Sequence, residues 1–117
     1  MAGVKRGEIW LVNLDPAVGH EIKKARPAVI IQNDIGNKFS PITIVAPVTS
    51  QKVELVRPFE AFLDRKGSGL DKDSKALLNQ IRAIDKQRLV ARLGKADDGA
   101  LSRIDEAIKV SLGLVKL

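Results

Sequence analysis

The 117-residue chain has no cysteine and no tyrosine, a single histidine, a single tryptophan and three phenylalanines. Without cysteine there are no disulfides, thiolate metal sites or thiol nucleophiles. One histidine, His20, excludes a two-histidine metal site or acid/base pair within one subunit, although a dimer would bring two copies together. So few aromatics leave little material for base-stacking platforms. No apolar run approaches the roughly 20 residues of a membrane-spanning helix, and residues 1–6 are not followed by a secretory-type apolar segment. The phosphate-binding glycine loop, the dinucleotide glycine fingerprint, the His-Glu-x-x-His zinc motif and the nucleophile-elbow serine are all missing. Asp71 and Asp73 form the one carboxylate pair resembling a hard-metal site, and in a lysine-flanked turn they read as a solvated loop. The expectation is a cytoplasmic protein that needs no metal, no cofactor and no membrane.

Positive charge is plentiful. Twenty Lys and Arg against 14 Asp and Glu give a net charge of +6 and a pI near 9.8, which favours a polyanionic partner. With 44% hydrophobic and 29% charged residues, the chain has enough for one core, so residues 1–117 are expected to be one domain. The charge concentrates in one stretch. Between His20 and Arg26 lie three cations (Lys23, Lys24, Arg26) and one anion (Glu21), directly before the apolar run Ala28-Val29-Ile30-Ile31. Pro27 fixes its own φ and pushes Arg26 into extended geometry, a rigid place to hold a guanidinium toward a phosphate. The alternative, a merely solvated charged loop, stays open on these residues alone.

Hydrophobic patterning predicts a strand over 8–14, ending at Asp15-Pro16, and a second over 28–32 with burial on both faces. Trp10 reads as a core or interface anchor in preference to a base-stacking residue. Residues 33–41 are rich in turn formers, with Asn33 or Asp34 able to cap a short helical turn. A third strand is expected over 42–49, where Pro47 removes a ladder donor and points to an edge or a bulge. A fourth is expected over 59–63. Residues 75–84 fit a helix or a strand, 85–88 a short helical turn, and 89–93 an extended piece closed by Gly94. The last segment is a helix capped by Asp97 or Asp98, with Leu101, Ile104, Ile108 and Leu112 in one apolar stripe beside Ala107 and Val115. Strands followed by a helix predict an α+β fold with a small antiparallel sheet or partial barrel. Thr49-Ser50-Gln51 sets hydroxyls and an amide at the end of the third strand. If the second and third strands are antiparallel neighbours, Arg26 and Thr49 meet, and a cation and a hydroxyl can share a phosphate.

A combination of motifs is more specific. Lys5-Arg6-Gly7-Glu8-Ile9-Trp10, Gly19-x-Glu21, the run from Arg26-Pro27 to Gln32-Asn33-Asp34, Phe39-Ser40-Pro41, Val48-Thr49, and Gln80-Ile81-Arg82-Ala83-Ile84-Asp85-Lys86-Gln87-Arg88-Leu89 occur in order and at spacing that strongly resemble the MazF/PemK family. These are toxin endoribonucleases, the mRNA interferases of type II toxin–antitoxin modules, and the resemblance spans residues 4–114. It implies an SH3-like partial barrel with a strongly bent antiparallel sheet, short helices and a C-terminal helix, with 77–81 as strand. It implies metal-independent cleavage of single-stranded RNA by the ribose 2′-OH, leaving a cyclic phosphate and a 5′-hydroxyl. The family's paired Arg and Thr fall on Arg26 and Thr49. RNA contacts are implied at Gly19, His20, Glu21, Lys23, Lys24, Pro27, Gln32, Asn33, Ser50, Gln51 and Gln80.

The partners implied are a second copy of the chain and a cognate antitoxin whose extended C-terminal tail lies over the RNA groove. Such toxins arrest growth and bind DNA together with the antitoxin. Lys23, Lys24 and Ala25 depart from the more glycine-rich loop of relatives, so the cleaved sequence does not carry over. A gyrase-poisoning branch of the same fold resembles itself in a C-terminal Trp-Gly-Ile, whereas this chain ends Leu114-Val115-Lys116-Leu117. A catalytically inert RNA- or peptide-binding barrel is the remaining alternative.

Overall fold

β-Branched and apolar residues build most of a seven-stranded antiparallel sheet, seen in a computed structural model that describes residues 3–14 and 25–116. The expectations for Gly19, His20, Glu21, Lys23 and Lys24 lie outside the described residues. In chain order the elements are β1 (Glu8–Val12), β2 (Arg26–Ile30), α1 (Asp34–Phe39), β3 (Ile42–Thr49), β4 (Glu60–Leu63), β5 (Ser74–Leu77), β6 (Arg82–Asp85), β7 (Leu89–Lys95) and α2 (Asp98–Ser111). The sheet runs β4-β5-β3-β2-β1-β7, with β6 also paired to β3.

Several expectations change in the tertiary structure. The second strand starts at Arg26, because Arg26 faces Val12 in the β1–β2 ladder; the proline beside it does not prevent pairing. Pro47 is not at an edge. β3 pairs with β6 over Ile42 to Val45 and with β5 at Val48 and Thr49, so the missing N–H falls at the change of partner. Residues 77–81 are not a strand: Leu77 ends β5, and Leu78–Gln80 forms a 3-10 turn that buries Leu78 in the core. Gly94 does not close the last strand but lies within β7. There its backbone meets Ser68 so closely that a Cβ would sit 2.1 Å from the Ser68 carbonyl oxygen.

The caps of both helices fall within the expected pairs, and a further cap forms at Asp85. Asn33 accepts from the Gly36 N–H (2.8 Å) at the start of α1, Asp85 from the Gln87 N–H (2.8 Å), and Asp97 from the Ala100 N–H (2.8 Å) at the start of α2. α2 buries Ala100, Ile104 and Ala107 against the main core, which also holds Ile9, Val29, Leu63 and Leu78. At its C-terminus Gly113 takes φ +72 and the Leu114 N–H reaches the Lys109 carbonyl (2.8 Å), closing the helix with a left-handed cap. Leu112 and Val115 therefore leave the apolar stripe and are exposed. Trp10 packs on a second, smaller cluster with Val12, Ile30 and Ile84, its indole N–H donating to Glu8 (3.1 Å).

Candidate active-site cleft at the ends of β2, β3 and β5

Antiparallel pairing sets the geometry of the cleft. Ala28 faces Pro47 across β2–β3, and stepping outward along both strands in the same register leads to Arg26 and Thr49. Both line one cleft of about 320 Å³, together with Pro27, Val48, Ser50 and Gln51. The opposite wall is Leu70, Asp71, Lys72 and Ser74, brought in because β5 pairs with β3 at Val48↔Ala76 and Thr49↔Lys75.

The polar groups on the first wall are oriented but available. The Thr49 hydroxyl oxygen accepts from the Gln51 N–H (3.1 Å), which fixes its position and leaves its proton free to donate. Arg26 is exposed, and its guanidinium has no hydrogen-bond or ion-pair partner among the described residues. A planar cation and a hydroxyl donor facing one space are a donor set for a tetrahedral or pentavalent phosphorus centre.

Behind this wall lies a buried brace. Lys75, opposite Thr49 in register, sends its ammonium to the Leu55 carbonyl (2.8 Å) and to Glu60 Oε1 (2.8 Å). Glu60 also accepts from the Arg57 N–H (3.0 Å), so the pair clips the loop that follows Gln51 onto the sheet. Burial alone would raise the Glu60 carboxyl, but the Arg57 N–H and the Lys75 ammonium outweigh it and hold the group below the ordinary carboxylate range.

Of the sequence-predicted residues, the cleft gathers Arg26, Pro27, Thr49, Ser50 and Gln51. It does not gather three others. Gln32 donates to Asn37 Oδ1 (3.1 Å) and to the Ile42 carbonyl (2.9 Å), tying α1 to β3, and Asn33 is spent as the α1 cap. Gln80 is exposed on the 3-10 turn, outside the cleft lining. Asp71 reads from sequence as part of a solvated loop, and Leu70, Lys72 and Ser74 carry no sequence signal for the cleft. Their place in the cleft depends on β3–β5 pairing, for which no local signal exists.

Among the described residues no group of three or more His, Asp or Glu side chains is placed to hold a metal ion, and no helix is long and apolar enough to cross a membrane.

Comparison with known proteins follows the same lines. A family model described as PemK-like, MazF-like toxin of type II toxin–antitoxin system matches residues 5–112. The chain is 46% identical over 112 residues to Endoribonuclease EndoA of Bacillus subtilis strain 168, covering 96% of this chain and 97% of that protein. A mycobacterial endoribonuclease solved in complex with its cognate antitoxin superposes with a TM-score of 0.79 at 19% identity, over 97% of this chain and 99% of that one. MazF from Deinococcus radiodurans superposes with a TM-score of 0.78 at 24% identity, over 97% and 99% of the two chains. At these identities the solved structures establish likeness of fold.

Proposed function

The chain belongs to the PemK-like, MazF-like toxin family of type II toxin–antitoxin systems, and from that premise we propose that it is an endoribonuclease cutting single-stranded RNA in the Arg26/Thr49 cleft. The observation that carries this reading is the convergence on one cleft, from two strands, of a guanidinium and a hydroxyl proton that have no partner among the described residues.

The nucleophile belongs to the substrate. The ribose 2′-oxygen attacks phosphorus, the bond to the 5′-oxygen breaks, and the products are a 2′,3′-cyclic phosphate and a 5′-hydroxyl. The 2′ proton passes to water, and the departing 5′-oxygen takes a proton from water. Arg26, whose guanidinium offers only hydrogen-bond donors, stabilises the extra negative charge on the pentavalent phosphorus and turns an N–H toward the leaving oxygen. Thr49 donates to a non-bridging oxygen of the same phosphate. No step calls for a metal or a cofactor. Bases are legible to so small a protein only when unstacked, and the 2′-OH requirement restricts the substrate to RNA.

The working assembly in this reading is a homodimer of one-domain chains in the cytoplasm, built on a strongly bent SH3-like partial barrel. A cognate antitoxin lays an extended C-terminal tail over the RNA groove and blocks the cleft, binding DNA together with the toxin; release of the toxin arrests growth. Gly19, His20, Glu21, Lys23 and Lys24, from the stretch of sequence that precedes Arg26, are RNA contacts in this reading, and Ser50 and Gln51 border the phosphate. The test is incubation with a long unstructured RNA in EDTA, with mapping of the new ends. New 5′-hydroxyl ends that disappear in Arg26→Ala and fall in Thr49→Ala are expected. Undiminished cutting by both variants, or none by the parent chain, overturns the assignment.

A further inference from the structure

The loop between β4 and β5, with the first residue of β5, spends four polar side chains on its own backbone. Asp64 accepts from the Lys66 N–H (2.8 Å), Asp73 from the Arg65 N–H (3.0 Å), Ser68 bridges the Arg65 carbonyl (3.1 Å) and the Leu70 N–H (3.3 Å), and Ser74 donates to the Lys72 carbonyl (2.9 Å). The loop is also seated on β7 without slack. Gly69, at φ +82, lies so near β7 that a Cβ there would stand 1.9 Å from the Leu93 carbonyl oxygen. Two charged side chains of this fixed loop line the cleft opposite Arg26 and Thr49, and neither has a hydrogen-bond or ion-pair partner among the described residues: Asp71 and Lys72.

A cleft of about 320 Å³ is at the low end of sites that enclose small organic molecules, about 300 to 1,000 Å³. It takes roughly one nucleotide unit. With the phosphate on the Arg26/Thr49 wall, the facing wall meets a neighbouring base and a neighbouring phosphate. We propose that Asp71 selects that base and that Lys72 holds that phosphate, making the 70–74 wall a specificity-determining part of the cleft. This rests on the RNA-cleaving reading above. An ionised carboxylate only accepts hydrogen bonds, so it favours a base edge carrying amino or imino hydrogens. Guanine, with its adjacent N1–H and N2–H₂, offers both carboxylate oxygens a donor. Uracil, whose single N3–H lies between two carbonyls, is disfavoured because a carbonyl oxygen faces the carboxylate. Because the loop is already fixed, little ordering cost is expected on binding.

The experiment varies each nucleotide flanking the mapped cut site through all four bases. Cleavage kcat/KM is measured for the parent chain, Asp71→Asn and Lys72→Met, and the 2′-O-methyl versions of the same oligonucleotides are titrated by fluorescence anisotropy. At one flanking position the parent should prefer guanine over uracil, and Asp71→Asn, whose amide presents a donor as well as an acceptor, should cut that preference by about tenfold or more. Lys72→Met should raise KM by a similar factor for every base and make the dependence of log affinity on log salt shallower by about one unit. A guanine-to-uracil ratio unmoved by Asp71→Asn, in cleavage and in anisotropy alike, overturns the role of Asp71. An unmoved salt slope overturns that of Lys72. A parent that binds with base preference but does not cut sinks the nuclease reading and leaves the specificity wall standing.

Discussion

The two ends of β3 carry similar side chains and use them in opposite ways. At the Ile42 end, Thr43 is fully buried and its hydroxyl donates to Asn37 Oδ1 (2.7 Å). Asn37 in turn donates to the Gln32 carbonyl (2.9 Å) and to Asp34 (3.3 Å), and the Lys86 ammonium reaches the Asn37 carbonyl. At the other end the Thr49 hydroxyl receives one backbone N–H, and Arg26 beside it is unpartnered among the described residues. A threonine, an amide and a cation lock the fold at one end and stand ready for a ligand at the other. Residue type alone does not separate these uses. What separates them is whether the surrounding chain has already consumed the hydrogen-bonding capacity, because a buried polar group must be satisfied internally while an exposed one is free to bind.

That contrast breaks most visibly at Arg26. Arg26→Ala should lower kcat by about 100- to 1,000-fold or more while leaving the melting temperature nearly unchanged; parallel loss of both would place Arg26 among the fold-locking groups.

The next largest effect is expected behind the cleft, at Lys75. Lys75→Met leaves Glu60 buried without its cation and should cost about 3 kcal/mol in urea unfolding. Because the folded Glu60 carboxyl is held below its ordinary value of 4.5, its contribution is complete above that pH and drains away as pH falls through the lower folded value. Unfolding free energy should accordingly drop on the acid side. Glu60→Gln should flatten that limb, and an identical acid limb in the variant would remove Glu60 as its source.

A smaller loss, about 2 kcal/mol, is expected for Asn37→Ala, since Thr43 and Gln32 both lose a partner. Cleavage per folded molecule should stay at the parent level, and a fall in kcat would show that the two ends of the strand communicate. Asn33→Ala should be mildest, about 1 kcal/mol from the lost cap. An altered cut-site preference in that variant would place Asn33 among the RNA contacts as well as at the α1 cap.

Much of this was legible locally. Caps at Asn33, Asp85 and Asp97 follow from short polar side chains that satisfy the first free N–H groups of a helix, a rule confined to a few residues. The full span of β3 followed from its β-branched run, bounded by Pro41 and the polar Ser50-Gln51. The misreadings share one cause. Pro47 looks like an edge residue unless β3 is known to change partners from β6 to β5. Residues 77–81, open between helix and strand on local pattern and implied as strand by the resemblance, instead hold a 3-10 turn that buries Leu78 under α2. For Gln32 and Asn33, implied as RNA contacts by the family resemblance, the bonds each makes to α1 or β3 were likewise not legible locally.

The amino-acid sequence by itself determined a basic, cysteine-free composition and where most of the strands and the terminal helix lie, properties that depend on composition, on periodicity and on backbone constraints. The pairing of Arg26 with Thr49 came from the family resemblance, since the residues alone left a solvated charged loop open. Only the tertiary structure decided which polar groups remain unspent and which loop faces them. Strand pairing joins residues far apart in the chain, as it sets Thr49 against Lys75 and so brings Asp71 and Lys72 to the cleft. A local pattern carries no record of that partner.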